Sequence, residues 1–120
     1  MKKLIKSFKY AFEGIFTGIK KEQNMKIHMV IMILVIIFGI LFKISKIEWI
    51  ICIALFGLVI SMELINTAIE NTVDLITKEK NEQAKIAKDV AAGAVLISAI
   101  YAIVVGVIVF YDKFIQILNI

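Results

Sequence analysis

The sequence contains neither proline nor arginine, and only one cysteine, one histidine and one tryptophan among its 120 residues. Each scarcity removes a class of chemistry. All fourteen basic side chains are lysines, point charges suited to phosphates and lipid headgroups, and the planar bidentate fork of arginine is missing. A lone Cys52 excludes an internal disulfide and any cysteine-based zinc site, and inside its apolar run it fits as a small core residue. His28 cannot hold zinc without further ligands. There is no Walker-type glycine-rich loop and no kinase-like Asp-Phe-Gly element, so phosphate, if handled at all, is handled by carboxylate-bound metal and lysine. The lysines flank apolar blocks and form no dense patch, which argues against nucleic acid as a partner despite a formal net charge of +4.

What the chain has in abundance is apolar residues, 61% of the total. Its length allows one domain. That apolar fraction, gathered in blocks, exceeds what a soluble fold of this size carries, and it points to an all-α integral membrane protein. Residues 4–19 read as an amphipathic helix lying in the membrane interface. Leu4, Ile5, Phe8, Phe12, Ile15, Phe16 and Ile19 share one face, with Lys2, Lys6, Lys9, Glu13, Thr17 and Lys20 opposite. The apolar residues of this stretch are periodic, so it does not read as a cleavable signal peptide. A first span is expected over 27–44, its uninterrupted core Met29–Phe42 shorter than the ~20 residues that cross hydrocarbon unaided. A second is expected over 47–74, with Trp49 as an interfacial anchor, and a third over 90–111, opening with the small residues Ala91, Ala92, Gly93 and Ala94. Residues 75–89 are expected to form a cytoplasmic loop. Eleven lysines lie before the first span or between the second and third, against three elsewhere, which puts the N-terminus and that loop on the cytoplasmic side of the cell membrane.

The second span does not end where its apolar run ends. Glu63, Asn66, Thr67, Glu70 and Asp74 continue it with helical spacing along one stripe. Ionisable groups at a membrane boundary are expensive and mark function. One such carboxylate can serve as a base and another can hold Mg²⁺ together with substrate phosphates. A merely solvated helix end would account for Asp74 but not for Glu63, which has apolar neighbours on both sides. Two further clusters flank the spans. Lys88-Asp89, with Lys85 one turn earlier, could neutralise phosphate, Asp89 orienting the lysine or helping to place a metal; it could equally be a plain basic flank. Glu22 to His28 adds a carboxylate, amides and the single histidine, and by itself would also suit a polar interfacial turn.

Three segments taken together resemble the prokaryotic diacylglycerol kinase family, small membrane lipid kinases that include the undecaprenol kinases of Gram-positive bacteria. They are Glu22-Gln23-Asn24-Met25-Lys26-Ile27-His28, Glu63-x-x-Asn66-x-Ala68-x-Glu70-x-x-x-Asp74, and Ala84 to Val95. The resemblance implies phosphoryl transfer from MgATP to a lipid hydroxyl. It implies Glu63 as the catalytic base and Glu22 and Glu70 as the carboxylates that hold Mg²⁺. It also implies Tyr10, Glu22, Glu70, Glu79, Asn81, Lys88 and Asp89 as ATP contacts, and Asn66 and Asp74 as further polar residues of the site. It implies a homotrimer whose sites are shared between subunits. His28 and Ile86 stand where members acting on diacylglycerol carry an acidic residue and an arginine, so the resemblance favours undecaprenol as acceptor, with diacylglycerol the alternative. A non-enzymatic ion-conducting subunit, with Glu63 copies on a shared axis, would leave Glu22, Lys88 and Asp89 without a task.

Overall fold

The structure, a computed structural model, describes residues 1–119. Four helices follow one another: α1 (Lys2–Lys21), α2 (Gln23–Leu41), α3 (Lys46–Ile76) and α4 (Glu82–Leu118). The fold is all-α, as the sequence requires, and α2, α3 and α4 are each long and apolar enough to cross a membrane. No proline interrupts any of them.

Helix α1 stands apart from the other three. Every residue from Lys2 to Thr17 is exposed, and the helix joins the bundle only at Gly18 and Ile19. There the backbone has to come close. A Cβ on Gly18 would lie 2.5 Å from Leu64 Cδ2 of α3, so a side chain here needs Leu64 to turn aside or α1 to move outward. Glu22 then breaks the chain direction in an extended conformation (φ −98°, ψ 120°). Its N–H donates to the Gly18 carbonyl at 3.2 Å, closing α1, while the same residue is the N-cap of α2. One side chain therefore projects from a corner held on both sides.

The turn between α2 and α3 is a Schellman closure. The Ile44 N–H donates to Gly39 O (3.1 Å) and Lys43 N–H to Ile40 O (3.3 Å), with Lys43 itself left-handed at φ 53°. A capping box then starts α3: Ser45 Oγ accepts from Glu48 N–H at 3.1 Å, and Glu48 Oε1 accepts from Ser45 N–H at 2.8 Å. Trp49 packs against Gly39, where any Cβ would meet its ring at 2.6 Å. The long α3–α4 pair is the backbone of the bundle and is tied near both ends. Lys113 Nζ meets Glu48 Oε1 at 3.2 Å at one end, and Lys88 Nζ meets Asp74 Oδ1 at 2.5 Å at the other.

The core is small. Among the described residues only Met25, Ile44, Cys52, Val59, Ala91 and Val109 are buried apolar side chains, while most isoleucines, leucines and valines of the spans face outward. Such a surface belongs in hydrocarbon. All four helices reach beyond their expected bounds at one end or both, α2 and α4 by the most. Helix α4 begins at Glu82 instead of 90, which shortens the expected 75–89 loop to residues 77–81. The cause is a cap: Asn81 Oδ1 accepts from the Ala84 N–H at 3.1 Å and Glu82 supplies first-turn negative charge. At its far end α4 runs to Leu118, beyond the expected 111. At 1.5 Å per residue its 37 residues measure about 55 Å, well beyond the ~30 Å of hydrocarbon. Likewise α2 begins at Gln23 and not at 27, with Glu22 extended at the N-cap position and making no side-chain cap bond.

Candidate functional site

The stripe read from the sequence is one face of α3, and it is turned inward. Glu63 is 0% exposed, and Asn66 and Thr67 are buried beside it. Thr67 Oγ1 donates to the Glu63 carbonyl at 3.0 Å, fixing the backbone under that side chain. Asn66 Nδ2 donates to Glu70 Oε1 at 3.1 Å, which leaves Asn66 Oδ1 buried without a partner. Both carboxylate oxygens of Glu63 also lack a hydrogen bond. From α2, His28 Nε2 approaches Glu63 Oε2 to 3.3 Å, near enough for an ion pair but not aligned as a hydrogen bond. Buried polar atoms without partners are rare in finished folds and call for a ligand or a chemical role.

Glu22 completes the cluster from the α1–α2 corner. Burial pushes its carboxyl above the usual carboxylate range, and the charges of Glu70 and then Glu63 push it further the same way, with the Thr67 hydroxyl opposing them. Glu22 thus feels the charge of two carboxylates carried by α3. Their donor atoms are hard oxygens. No group of three His, Cys, Asp or Glu side chains gathers into a closed metal cage among the described residues. Mg²⁺ needs no such cage, since it takes one or two carboxylates and completes its shell with phosphate and water. Glu22 and Glu70 fit that requirement.

One turn beyond Glu70, Asp74 opens onto an exposed cleft of about 610 Å³ between the end of α3 and the start of α4. Glu79, Asn81, Lys85, Lys88 and Asp89 line it with Asp74. The structure brings Glu22, Glu63, Asn66 and Glu70 into one cluster and Asp74, Glu79, Asn81, Lys88 and Asp89 around one cleft. Tyr10 lies on the exposed length of α1 and lines no part of that cleft. One local pairing differs from expectation. Asp89 does not orient Lys88; it accepts from Lys85 Nζ at 2.7 Å, and Lys88 pairs with Asp74 instead. Adjacent residues on a helix point about 100° apart, whereas residues four apart face each other. The contact between His28 and Glu63 was not foreseen either. Its one sequence signal is that a polar ring recurs on the same helix face as buried Met25.

A family model described as prokaryotic diacylglycerol kinase matches residues 9–110. The chain belongs to this family. As a prokaryotic diacylglycerol kinase family member it is a membrane-embedded lipid kinase, and relatives align along nearly its full length. It is 42% identical to the undecaprenol kinase of Bacillus subtilis, over 94% of this chain and 92% of that protein. It is 40% identical to the diacylglycerol kinase of Synechocystis over 86% of this chain, which covers 59% of that longer protein. The diacylglycerol kinase of Escherichia coli is 29% identical, over 93% of this chain and 92% of the relative. The kinase family therefore contains relatives with both acceptor names.

Proposed function

We propose that this kinase transfers the γ-phosphate of ATP to the hydroxyl of undecaprenol at the cytoplasmic face of the bacterial cell membrane. The observation that carries the reading is Glu63, a wholly enclosed carboxylate with two unpartnered oxygens at the point where an apolar helix turns polar. An uncompensated buried carboxylate costs several kcal/mol, so one without a substrate to serve is hard to explain. In the transfer, the lipid oxygen forms a bond to the γ-phosphorus, the bond from that phosphorus to the ADP oxygen breaks, and the hydroxyl proton passes to Glu63. Glu22 and Glu70 would hold Mg²⁺ with the nucleotide, and the bound ion supplies charge neutralisation on the phosphates. Glu79, Asn81 and Asp89 would contact the nucleotide in the cleft beyond them, and Lys88 would exchange Asp74 for a phosphate oxygen. Asn66 would hold Glu70 in place through its amide.

The lysine distribution supports the cytoplasmic placement of this end of the bundle, where soluble nucleotide is present. A homotrimer with sites shared between subunits belongs to the same reading and is carried by the family resemblance. Tyr10, exposed on α1 away from its own cleft, would then serve a neighbour's nucleotide. For the acceptor, His28 and Ile86 and the identity to the Bacillus subtilis undecaprenol kinase favour the polyprenol. The Synechocystis relative supports diacylglycerol as the second reading. Phosphate transfer to both lipids at equal mole fraction in one detergent tests the choice. A higher kcat/KM for undecaprenol is expected; a clear preference for diacylglycerol would overturn the acceptor and leave the kinase reading intact.

A further inference from the structure

We propose that His28 is the positioning residue of Glu63: its imidazole, reaching over from α2, fixes one carboxylate oxygen so that the other is presented to the lipid hydroxyl. This rests on Glu63 being the base of the lipid kinase reaction. The side chain of Glu63 is 1% exposed and that of His28 17%, with Nε2 3.3 Å from Oε2. Within 4 Å, His28 is the one cation-forming side chain that reaches Glu63 among the described residues.

The neighbouring polar groups are committed elsewhere. The Thr67 hydroxyl donates to the Glu63 backbone carbonyl and so fixes the main chain, not the carboxylate. The Asn66 amide donates to Glu70. Without His28, no charged or hydrogen-bonding partner in this chain would fix which way the Glu63 carboxylate faces. A carboxylate that must meet a hydroxyl within hydrogen-bond reach loses rate when its position is undefined. Imidazole suits the task because it is short and stiff, with two torsions. Its own base is anchored as well: Met25, three residues earlier on the same side of α2, is fully buried. The present 3.3 Å separation without hydrogen-bond alignment is a loose contact, and catalytic contacts of this kind tighten when substrate fills the site.

The test uses the full chain in mixed micelles. Lipid-dependent turnover of the wild type is read first, because its absence would count against the kinase reading itself. Then kcat and both KM values are measured for His28→Ala and His28→Gln, each alone and combined with Glu63→Gln. His28→Ala should lower kcat by about ten- to a hundredfold, the scale of a misplaced catalytic group, with the KM values for MgATP and lipid within about twofold of wild type. His28→Gln, whose amide nitrogen reaches about as far as Nε2, should recover most of the loss. In the Glu63→Gln background the His28→Ala loss should vanish, since the residue through which it acts is gone. As the single histidine, His28 gives one assignable pair of ring ¹⁵N signals, and these should move in Glu63→Gln. If His28→Ala unfolds, the Gln variant and the ¹⁵N spectrum carry the comparison. Wild-type kcat in His28→Ala, a change confined to the lipid KM, an equal loss in both backgrounds, or ring signals indifferent to Glu63→Gln would each overturn the proposal.

Discussion

Gly18 offers the sharpest test of how the site is assembled. It touches no substrate group in the proposed reaction, yet it sets how closely α1 approaches α3, and Glu22 follows it by one turn, hydrogen-bonded to its carbonyl. An added Cβ would stand 2.5 Å from Leu64 Cδ2, whereas carbon atoms rest at about 3.5–4.0 Å, so roughly an ångström of room must be found. In Gly18→Ala, the half-buried Leu64 side chain can turn its outer methyl aside. Helix propensity meanwhile favours alanine by about 1 kcal/mol, so stability should hold and kcat/KM should fall by no more than about tenfold. Gly18→Leu leaves no such escape. The end of α1 must move outward, carrying Glu22 with it, and a displacement near 1 Å costs about a hundredfold in rate. The loss should appear as a higher Mg²⁺ requirement as well as lower turnover. Leu64→Ala should return much of the activity of Gly18→Leu by reopening the space. The assay is lipid phosphorylation titrated with Mg²⁺ across Gly18→Ala, Gly18→Leu and Gly18→Leu/Leu64→Ala. A flat series, with Gly18→Leu at wild-type kinetics, would refute the idea that this contact places Glu22.

Glu63→Gln should keep assembly and nucleotide binding but lower kcat by about 10²–10⁴-fold, the usual worth of a general base, or about 3–5 kcal/mol of barrier; wild-type turnover would remove Glu63 from that role. Glu22→Ala and Glu70→Ala should each raise the Mg²⁺ needed for half-maximal activity, and if the two hold one ion as proposed, their combination should be far from additive. Additive losses with unchanged Mg²⁺ dependence would mean separate tasks. Glu22 also makes a stability prediction in metal-free protein. Because its folded carboxyl titrates above the ordinary value of 4.5, the folded state holds this proton more tightly than the unfolded one, so stability falls as pH rises through that interval. Glu22→Gln should therefore be at least as stable as wild type at neutral pH, the advantage disappearing below the ordinary carboxylate range. Thermal unfolding at both pH values checks the sign.

The helices were legible where periodicity decides them. The apolar face of α1, the apolar blocks of α2 to α4 and the inward stripe of α3 follow from spacing alone. The loop after α3 is shorter than the expected 75–89 because the Asn81 cap and Glu82 let a charged segment begin a helix at once. Within the site, Glu63, Asn66 and Glu70 share a face that any helical wheel displays. The arrival of Glu22 was implied by family resemblance, and what physically brings it there is the Gly18 contact, which sequence spacing does not reveal. Which lysine Asp89 holds is settled by packing: Asp89 takes Lys85 one turn earlier, and Lys88 reaches Asp74 across an interhelical gap on α3. His28 and Glu63 are joined only by tertiary packing, and no local pattern encodes that contact.

If α1 rests on the membrane, Glu22 sits where it gives way to a helix long and apolar enough to cross, and in the proposed site the bilayer itself becomes part of the geometry. The 19 residues of α2 span about 28 Å, close to the thickness of average hydrocarbon. In a thicker or thinner bilayer α2 would tilt or sink, while an α1 held in the interface would not follow it. The corner between them then opens or closes, and with it the approach of Glu22 to the α3 carboxylates. Turnover should accordingly pass through a maximum as acyl chains are lengthened, with the enzyme acting as a gauge of the membrane in which its substrate is dissolved.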